Sequence, residues 1–463
     1  MNIPELAQAF NAHLKQARPR HLAYLRRALG RAVFWGGAVA VGLLAVCFAK
    51  LSDFAALLFN AGYRHFPLLP FLITPLAGAV GVALTRRYFP AAGGSGIPQT
   101  LAEMRRGEES WRPLLSLRIA AGKMCVGVLA VACGFSLGRE GPTVQVGASV
   151  MNAIHRLLPK SLGIHRHHLL VAGGAAGIAA AFNTPLAGVL FAIEEMSRSV
   201  ESRMSGLVIT AIVLAGVVSK VFIGGGHYYG HVLIEGNDRA LIESVILATL
   251  STGLAGGLFA RLLVMAATRW VGRVADFRAR RPTLFAALCG LLVAAIGVSC
   301  GGMTFGSGYT QTLHLLHGQI ELPWYFGPAK FIATVTAYLS GLPGGIFAPS
   351  LAIGAGIGNT LSHLLGTPET QGMLLALCMT GFLAAVTQAP ITSFVIVMEM
   401  VDGYSLVIGL MATALLASAI SKLLSPPLYH TLAHNEYSKA REREWVHDNA
   451  IPQTPAVLPG AAG

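Results

Sequence analysis

The chain has 463 residues, 54% of them hydrophobic and only 12% charged, with a mean hydropathy of +0.61. A soluble domain carries roughly 25% charged residues, so the composition excludes a soluble globular protein and specifies a polytopic membrane protein. The formal net charge of +13 comes without a basic stripe interleaved with aromatics, which argues against nucleic acid as a partner.

Residues 1–32 read as a basic cytoplasmic segment. Lys15, Arg18, Arg20, Arg26, Arg27 and Arg31 crowd it against the single acid Glu5, and this bias places the N-terminus in the cytoplasm. The charged leader is too long for a signal peptide, and no short apolar core with a small-residue cleavage site follows it. A transmembrane domain is expected over 33–440. Apolar runs at 33–49, 68–84, 205–222, 241–266, 284–300 and 405–424 approach or exceed the ~20 residues that span a bilayer. Runs after Pro142, Pro185, Pro349 and Pro390 are shorter, start at a Gly/Pro break, and read as half-helices or tilted helices. Residues 441–463 form a short tail, expected in the cytoplasm and too short for a regulatory domain.

Two side features carry no chemistry on this reading. Cys47, Cys125, Cys133, Cys289, Cys300 and Cys378 lie in apolar stretches without CxxC spacing, as buried small hydrophobes do. His165, His167 and His168, with Arg166 among them and Lys160 nearby, read as a solvated connecting loop and not a metal site. No metal and no cofactor is expected.

The chain repeats itself. Gly94-Ser95-Gly96-Ile97-Pro98-Gln99-Thr100-Leu101 returns 212 residues later as Gly306-Ser307-Gly308-Tyr309-Thr310-Gln311-Thr312-Leu313. Gly138-Arg139-Glu140-Gly141-Pro142 is answered 207 residues on by Gly345-Ile346-Phe347-Ala348-Pro349, and Lys123 by Lys330 at the same offset. Pro185 and Glu194 meet Pro390 and Glu399, both 205 residues further along. The same order and nearly constant spacing indicate two duplicated halves, about 33–222 and 240–430. In a hydrophobic chain, related halves with interrupted segments at matching positions point to a transporter with its site between the repeats.

Gly-Ser-Gly-Ile-Pro, Gly-Arg-Glu-Gly-Pro and Gly-Gly-Ile-Phe-Ala-Pro each place glycines, then a Pro suited to a first helical turn, before an apolar run. Helix N-termini carry unpaired N–H groups and about half a positive charge. Several such ends converging at mid-membrane hold an anion without a fixed cation, and so bind it weakly enough to release it. Glu140 begins one of these helices, where its carboxylate competes with an anion for the same N–H groups. A carboxylate at that depth marks an ion pathway or proton relay. Glu194 and Glu195 end the helix after Pro185; spacing alone leaves a solvated pair and a functional pair equally open, and the repeat partner Glu399 suggests a shared structural position for Glu194. Tyr429, after the last span, reads by itself as an interfacial belt residue.

Taken together and in order, the three Gly/Pro motifs resemble the signature motifs of the CLC family of chloride channels and chloride/proton antiporters, over about residues 30–440. The resemblance implies an all-α polytopic membrane fold with an inverted internal repeat and many tilted and broken helices. It implies a central chloride held by the Ser95 and Tyr429 hydroxyls and the Ile346 and Phe347 amides, with Gly96 and Gly345 in the same anion-binding set. Glu140 corresponds to the gating glutamate that fills the outer anion site when ionised, Glu195 to the internal proton glutamate that separates exchangers from channels, and Glu194 to a neighbour that helps protons reach it. Family members are homodimers with one pore per subunit, and the regions resembling the interface helices lie near 185–222 and 390–424. Serine at 95 favours chloride. The chain departs from the pattern at Gln99 and Leu101, where some relatives carry acids, and at Leu342-Pro343, which replaces a small-residue lead-in.

The expected function is chloride/proton exchange across a bacterial inner membrane with both termini cytoplasmic; the alternative is a passive chloride channel on the same fold. An intramembrane hydrolase is disfavoured: no His-Glu-x-x-His site occurs, and Ser95 lacks the Gly at plus two of a nucleophile elbow.

Overall fold

A computed structural model describes residues 3–106, 114–158, 164–197, 206–224, 226–232, 238–268, 271–365 and 370–450. The side chains of 3–23, 25–27, 238 and 443–450 lie outside the described set, as do Lys160 and the tail 451–463; Lys15, Arg18, Arg20, Arg26 and Arg27 of the basic segment are therefore not placed.

The first half runs α1 (Ile3–His65), α2 (Pro70–Tyr88), α3 (Ile97–Arg106), α4 (Leu117–Ala132), α5 (Glu140–His155), α6 (Arg166–Phe182), α7 (Pro185–Phe191) and α8 (Gly206–Ile223). The second runs α9 (Asp238–Thr268), α10 (Arg273–Arg280), α11 (Pro282–Ser299), α12 (Tyr309–Leu316), α13 (Phe326–Leu339), α14 (Phe347–Leu365), α15 (Gln371–Thr387), α16 (Pro390–Val401) and α17 (Val407–Leu424), with α18 (Leu428–Ala450) closing the chain. Ala28–His65, Gly206–Ile223, Arg239–Thr268, Pro282–Ser299 and Tyr404–Leu424 are long and apolar enough to cross a membrane. The 68–84 run forms α2, a helix of 19 residues with Pro75 inside it and Arg86 and Arg87 in its last turn. On α9 the exposed residues Ile242, Ile246, Leu250, Leu254 and Leu258 recur every fourth position, an outward apolar stripe suited to lipid. The boundaries at 32/33 and 440/441 are not structural breaks, because α1 and α18 continue through them.

Local chemistry repeats between the halves. The helices α6 and α15 both end on a left-handed residue, Asn183 and Gln388, each with φ of 57° and each donating its backbone N–H to a carbonyl four residues back, Ala179 O and Ala384 O. A proline follows two positions later in each case and starts the next helix, since proline fixes φ and needs no N–H partner in a first turn.

Those next helices cap each other. Glu194, in the π-helical turn Ala192–Ser197 that extends α7, accepts from the Ile391 and Thr392 amides (3.1 and 2.7 Å) at the start of α16. Glu399, near the end of α16, accepts from the Leu186 and Ala187 amides (3.3 and 2.8 Å) at the start of α7. Each helix thus sets its C-terminal end against the N-terminus of its repeat partner, which requires the two to run antiparallel; this is the inversion of the repeat seen locally. A carboxylate at a helix N-terminus contributes about 0.3–1 kcal/mol when exposed and up to ~2 when partly buried.

The glycines of α14 let it press on its neighbours. A methyl group at Gly358 would meet the Leu374 carbonyl of α15 at 2.8 Å, and one at Gly356 would meet the Gly327 Cα of α13 at the same distance. Backbones this close require small residues. Two expectations are corrected here. Cys47 and Cys125 are exposed on the outer faces of α1 and α4, unlike buried Cys289, Cys300 and Cys378. His167 and His168 lie in the first turn of α6 and not in a loop, with Arg166 anchored to Asn152 (2.8 Å) and Glu103 (2.6 Å).

Candidate functional site

The three Gly/Pro motifs meet through backbone hydrogen bonds. Gly138 and Gly345 exchange N–H···O bonds in both directions (2.8 and 2.7 Å), an isolated antiparallel bridge between the loops that start α5 and α14. The Gly94 amide donates to Leu342 O (3.2 Å) and the Gly344 amide to Gly94 O (3.1 Å), tying the loop before α3 to the same strand-like segment. The helix starts of one half are thereby pinned to that of the other.

Two buried lysines hold the turns themselves. Lys123, on α4 and fully buried, donates to Ala92 O (2.8 Å) and Gly94 O (2.6 Å). Its repeat partner Lys330, on α13 and equally buried, donates to Thr304 O (2.9 Å) and Gly306 O (2.6 Å). An ammonium gathers carbonyls that point inward, leaving the N–H groups of the same turns to face the other way. The sequence paired these lysines without giving them a task; the signal was a lysine at matching places in two otherwise apolar helices.

Ser95, Phe347 and Tyr429 come together, each 0–2% exposed. The Tyr429 ring stacks on Phe347 (centroids 5.9 Å apart, 14° between planes), and its hydroxyl faces the Ser95 hydroxyl. Both hydroxyl oxygens are buried without a hydrogen-bond partner among the described residues. Buried polar atoms are rarely left so, and these two face one space. The Ile346 and Phe347 amides open α14, where first-turn N–H groups have no intrahelical partner. At 1% exposure Tyr429 is not an interfacial belt residue. Gly96 and Gly345 serve differently from the expectation: the Gly96 amide donates to Gln99 Oε1 (2.9 Å) and the Gly345 amide to Gly138 O, so neither is available to an anion. They contribute space, since a methyl group on Gly96 would meet Gly141 O at 2.8 Å and one on Gly345 the Gly141 amide at 2.9 Å. Gln99, a departure from the family pattern, is a local brace, its Nε2 donating to Gly93 O (2.9 Å).

Glu140 is 1% exposed at the first position of α5. Its carboxylate folds back over Gly138, near the backbone N–H groups of Arg139, Glu140 and Ala348, with Oε2 buried and without a hydrogen-bond partner among the described residues. An acidic side chain therefore lies close to helix starts from both halves at once. Beyond it, Arg139 pairs with Asp53 (2.5 Å) and donates to Ala49 O (2.7 Å) beside a cavity of about 40 Å³ lined by Tyr228, Ser307 and Tyr309.

On the other side of the Ser95 site, Glu195 is buried in the π-helical turn, 3.4 Å from His430. Its neighbour Glu194 is committed to the α16 cap described above. A cavity of about 920 Å³ opens at this end of the molecule and reaches Gly93, Gly94 and Gln99. Arg86, Arg87, Arg106, Arg118, Arg278 and Lys439 line it, against Glu436 as the one acid in its described lining. A concave surface of one sign concentrates the opposite ion. Its cations come from five helices, which is why no run of charge announced it.

The sequence model of the voltage gated chloride channel family matches residues 77–422. The chain belongs to the CLC family. It is 32% identical over 395 residues to the H(+)/Cl(-) exchange transporter ClcA of Cronobacter sakazakii, covering 82% of this chain and 83% of that one. Against the ClcA of Citrobacter koseri it is 29% identical over 423 residues, covering 89% and 85%. Among solved structures, a slow cyanobacterial Cl-/H+ antiporter superposes with a TM-score of 0.74 at 25% identity, over 89% of this chain and 98% of that one. A CLC-type fluoride/proton antiporter shares the fold, with a TM-score of 0.70 at 22% identity over 88% and 98%. This CLC protein thus has the all-α architecture that its motifs imply.

Proposed function

We propose that this CLC protein exchanges chloride for protons, with Glu140 as the group that couples them. The observation that carries the reading is the Glu140 carboxylate resting on the N-termini of α5 and α14, a place that suits a halide equally well. Chloride arriving from the Ser95–Tyr429 side displaces the carboxylate. Once displaced into an apolar surrounding, the side chain takes up a proton, because a bare charge there is costly. Chloride and proton therefore alternate at one position. Glu195 passes protons between the cytoplasm and Glu140, and Ser95, Tyr429 and the Ile346 and Phe347 amides hold the central chloride. The exchangers among the relatives named above support the same activity.

The basic N-terminal segment puts the start of α1 in the cytoplasm of a bacterial inner membrane. Since α2 returns toward that side, Arg86 and Arg87 and the basic cavity they line face the cytoplasm, in keeping with the positive-inside rule. Chloride collects there before reaching Ser95. The homodimer of the family would bury the exposed Ile209, Val213 and Val217 of α8 and Ile408, Leu415 and Leu416 of α17; a particle with the mass of one 48.5 kDa chain in lipid nanodiscs would remove it.

Liposomes holding the purified protein test the exchange. With an outward chloride gradient and no initial pH gradient, chloride efflux is expected to drive protons inward until they move uphill. Chloride efflux with no proton movement would instead establish a passive channel.

A further inference from the structure

We propose that His430 relays protons between solvent and Glu195, with Arg105 fixing which ring nitrogen carries the proton at rest. The inference deepens the exchange mechanism and rests on the proposed role of Glu195.

Three elements far apart in the chain meet here: the π-helical turn with Glu195, the last turn of α3 with Arg105, and the first turn of α18 with His430. His430 Nδ1 lies 3.2 Å from Arg105 Nη2, and His430 Nε2 lies 3.4 Å from Glu195 Oε1. The side chain of Glu195 is 4% exposed and that of His430 14%, while Arg105 is on the surface. The imidazole is thus the step between a carboxylate sealed from water and a group in contact with it.

The ring's protonation follows from its partners. A guanidinium only donates, so Nδ1 accepts from Arg105 and the proton of the neutral ring sits on Nε2, the nitrogen turned toward Glu195. At 3.4 Å the contact to Glu195 is longer than a formed hydrogen bond, as proton-transfer contacts in resting sites commonly are. Along α18, Tyr429 precedes His430 and His434 follows one turn on; on α3, Glu103 turns away to Arg106 and Arg166.

The transfer balances on the ring. Arg105 swings out and a proton from water adds to Nδ1, giving imidazolium. The Nε2–H bond then breaks, its proton passes to Glu195 Oε1, and a neutral ring protonated on Nδ1 remains. The ring then turns out to solvent, gives the Nδ1 proton to water and takes one on Nε2, and reseats with Arg105. Run backward, the same steps discharge Glu195 to the cytoplasm. Histidine suits this task because its two nitrogens give and take at near-neutral pH.

The test is proton and chloride flux in liposomes for His430→Gln and His430→Ala beside the wild type. Both variants are expected to lose about a hundredfold or more of proton flux, the lower end of the range for a positioned acid–base group, with a much smaller loss of chloride flux. Free imidazole at millimolar concentration is expected to restore proton flux to His430→Ala and not to His430→Gln, which fills the space. A merely structural histidine predicts neither the fall in the proton-to-chloride ratio nor the rescue. Wild-type coupling in either variant overturns the relay; should His430→Ala fail to accumulate, His430→Gln decides alone. Glu195→Gln, measured in parallel, separates the two claims. If it abolishes coupling while the His430 variants keep it, the relay is wrong; if it pumps protons as the wild type does, the assignment of Glu195 is wrong.

Discussion

Replacing Glu140 with glutamine is expected to abolish chloride-driven proton pumping while chloride continues to cross. The carboxylate lies at the backbone N–H groups that start two helices, with Oε2 buried and without a hydrogen-bond partner among the described residues, and only its negative charge makes it a rival of chloride there. Glutamine has nearly the same shape but neither the charge nor a proton to release, so the step that ties one ion to the other disappears. Glu140→Ala should behave alike, by removing the blocking side chain as well as the titratable group. In reconstituted vesicles the proton signal under a chloride gradient should fall to that of protein-free vesicles, while chloride efflux remains well above theirs. Proton pumping by Glu140→Gln at the wild-type ratio would remove Glu140 from the mechanism.

Lys123→Met is expected to damage both the fold and the anion site from outside the ion path. Methionine fits the volume but leaves Ala92 O buried and unpaired and takes from Gly94 O one of its two donors, the Gly344 amide remaining. An orphaned buried acceptor costs about 1–3 kcal/mol, and the weakened hold on Gly94 O adds to it. The damage should also reach the ligand, because Gly94 precedes Ser95 and is hydrogen-bonded to the α14 lead-in. Both the melting temperature in detergent and chloride affinity by titration calorimetry are expected to fall. Lys330→Met orphans both of its carbonyls, Thr304 O and Gly306 O, at the turn beside the small outer cavity. It should lower the melting temperature and spare chloride binding. A Lys123→Met protein with unchanged melting and chloride affinity would show that the turn does not depend on its lysine.

Much of this was legible in the sequence because the repeat is written in glycine, proline and charge, residues whose backbone and solvation demands are local. Pro142, Pro185, Pro349 and Pro390 each sit at or beside a helix start, and the carboxylate at 140 is costly wherever the membrane surrounds it. What escaped depends on which elements lie side by side. Glu194 and Glu399 were seen as equivalent, yet their reciprocal capping follows only once α7 and α16 are known to run antiparallel. Gly96 and Gly345 looked like anion donors until their amides were found bonded to Gln99 and Gly138. The contact of Arg105 with His430 joins positions 325 residues apart, and no spacing rule reaches that far. Helix ends misled for another reason: propensity carries α1 past residue 32 and α18 past 440, because charge changes at those points and backbone preference does not.

The most direct test of the anion site is crystallographic. Crystals grown in bromide, with data collected at the bromine absorption edge, should show an anomalous peak between the Ser95 and Tyr429 hydroxyls and the Ile346 and Phe347 amides, and in Glu140→Gln a second peak where the carboxylate had rested. A map with no peak among Ser95, Phe347 and Tyr429 would contradict the account.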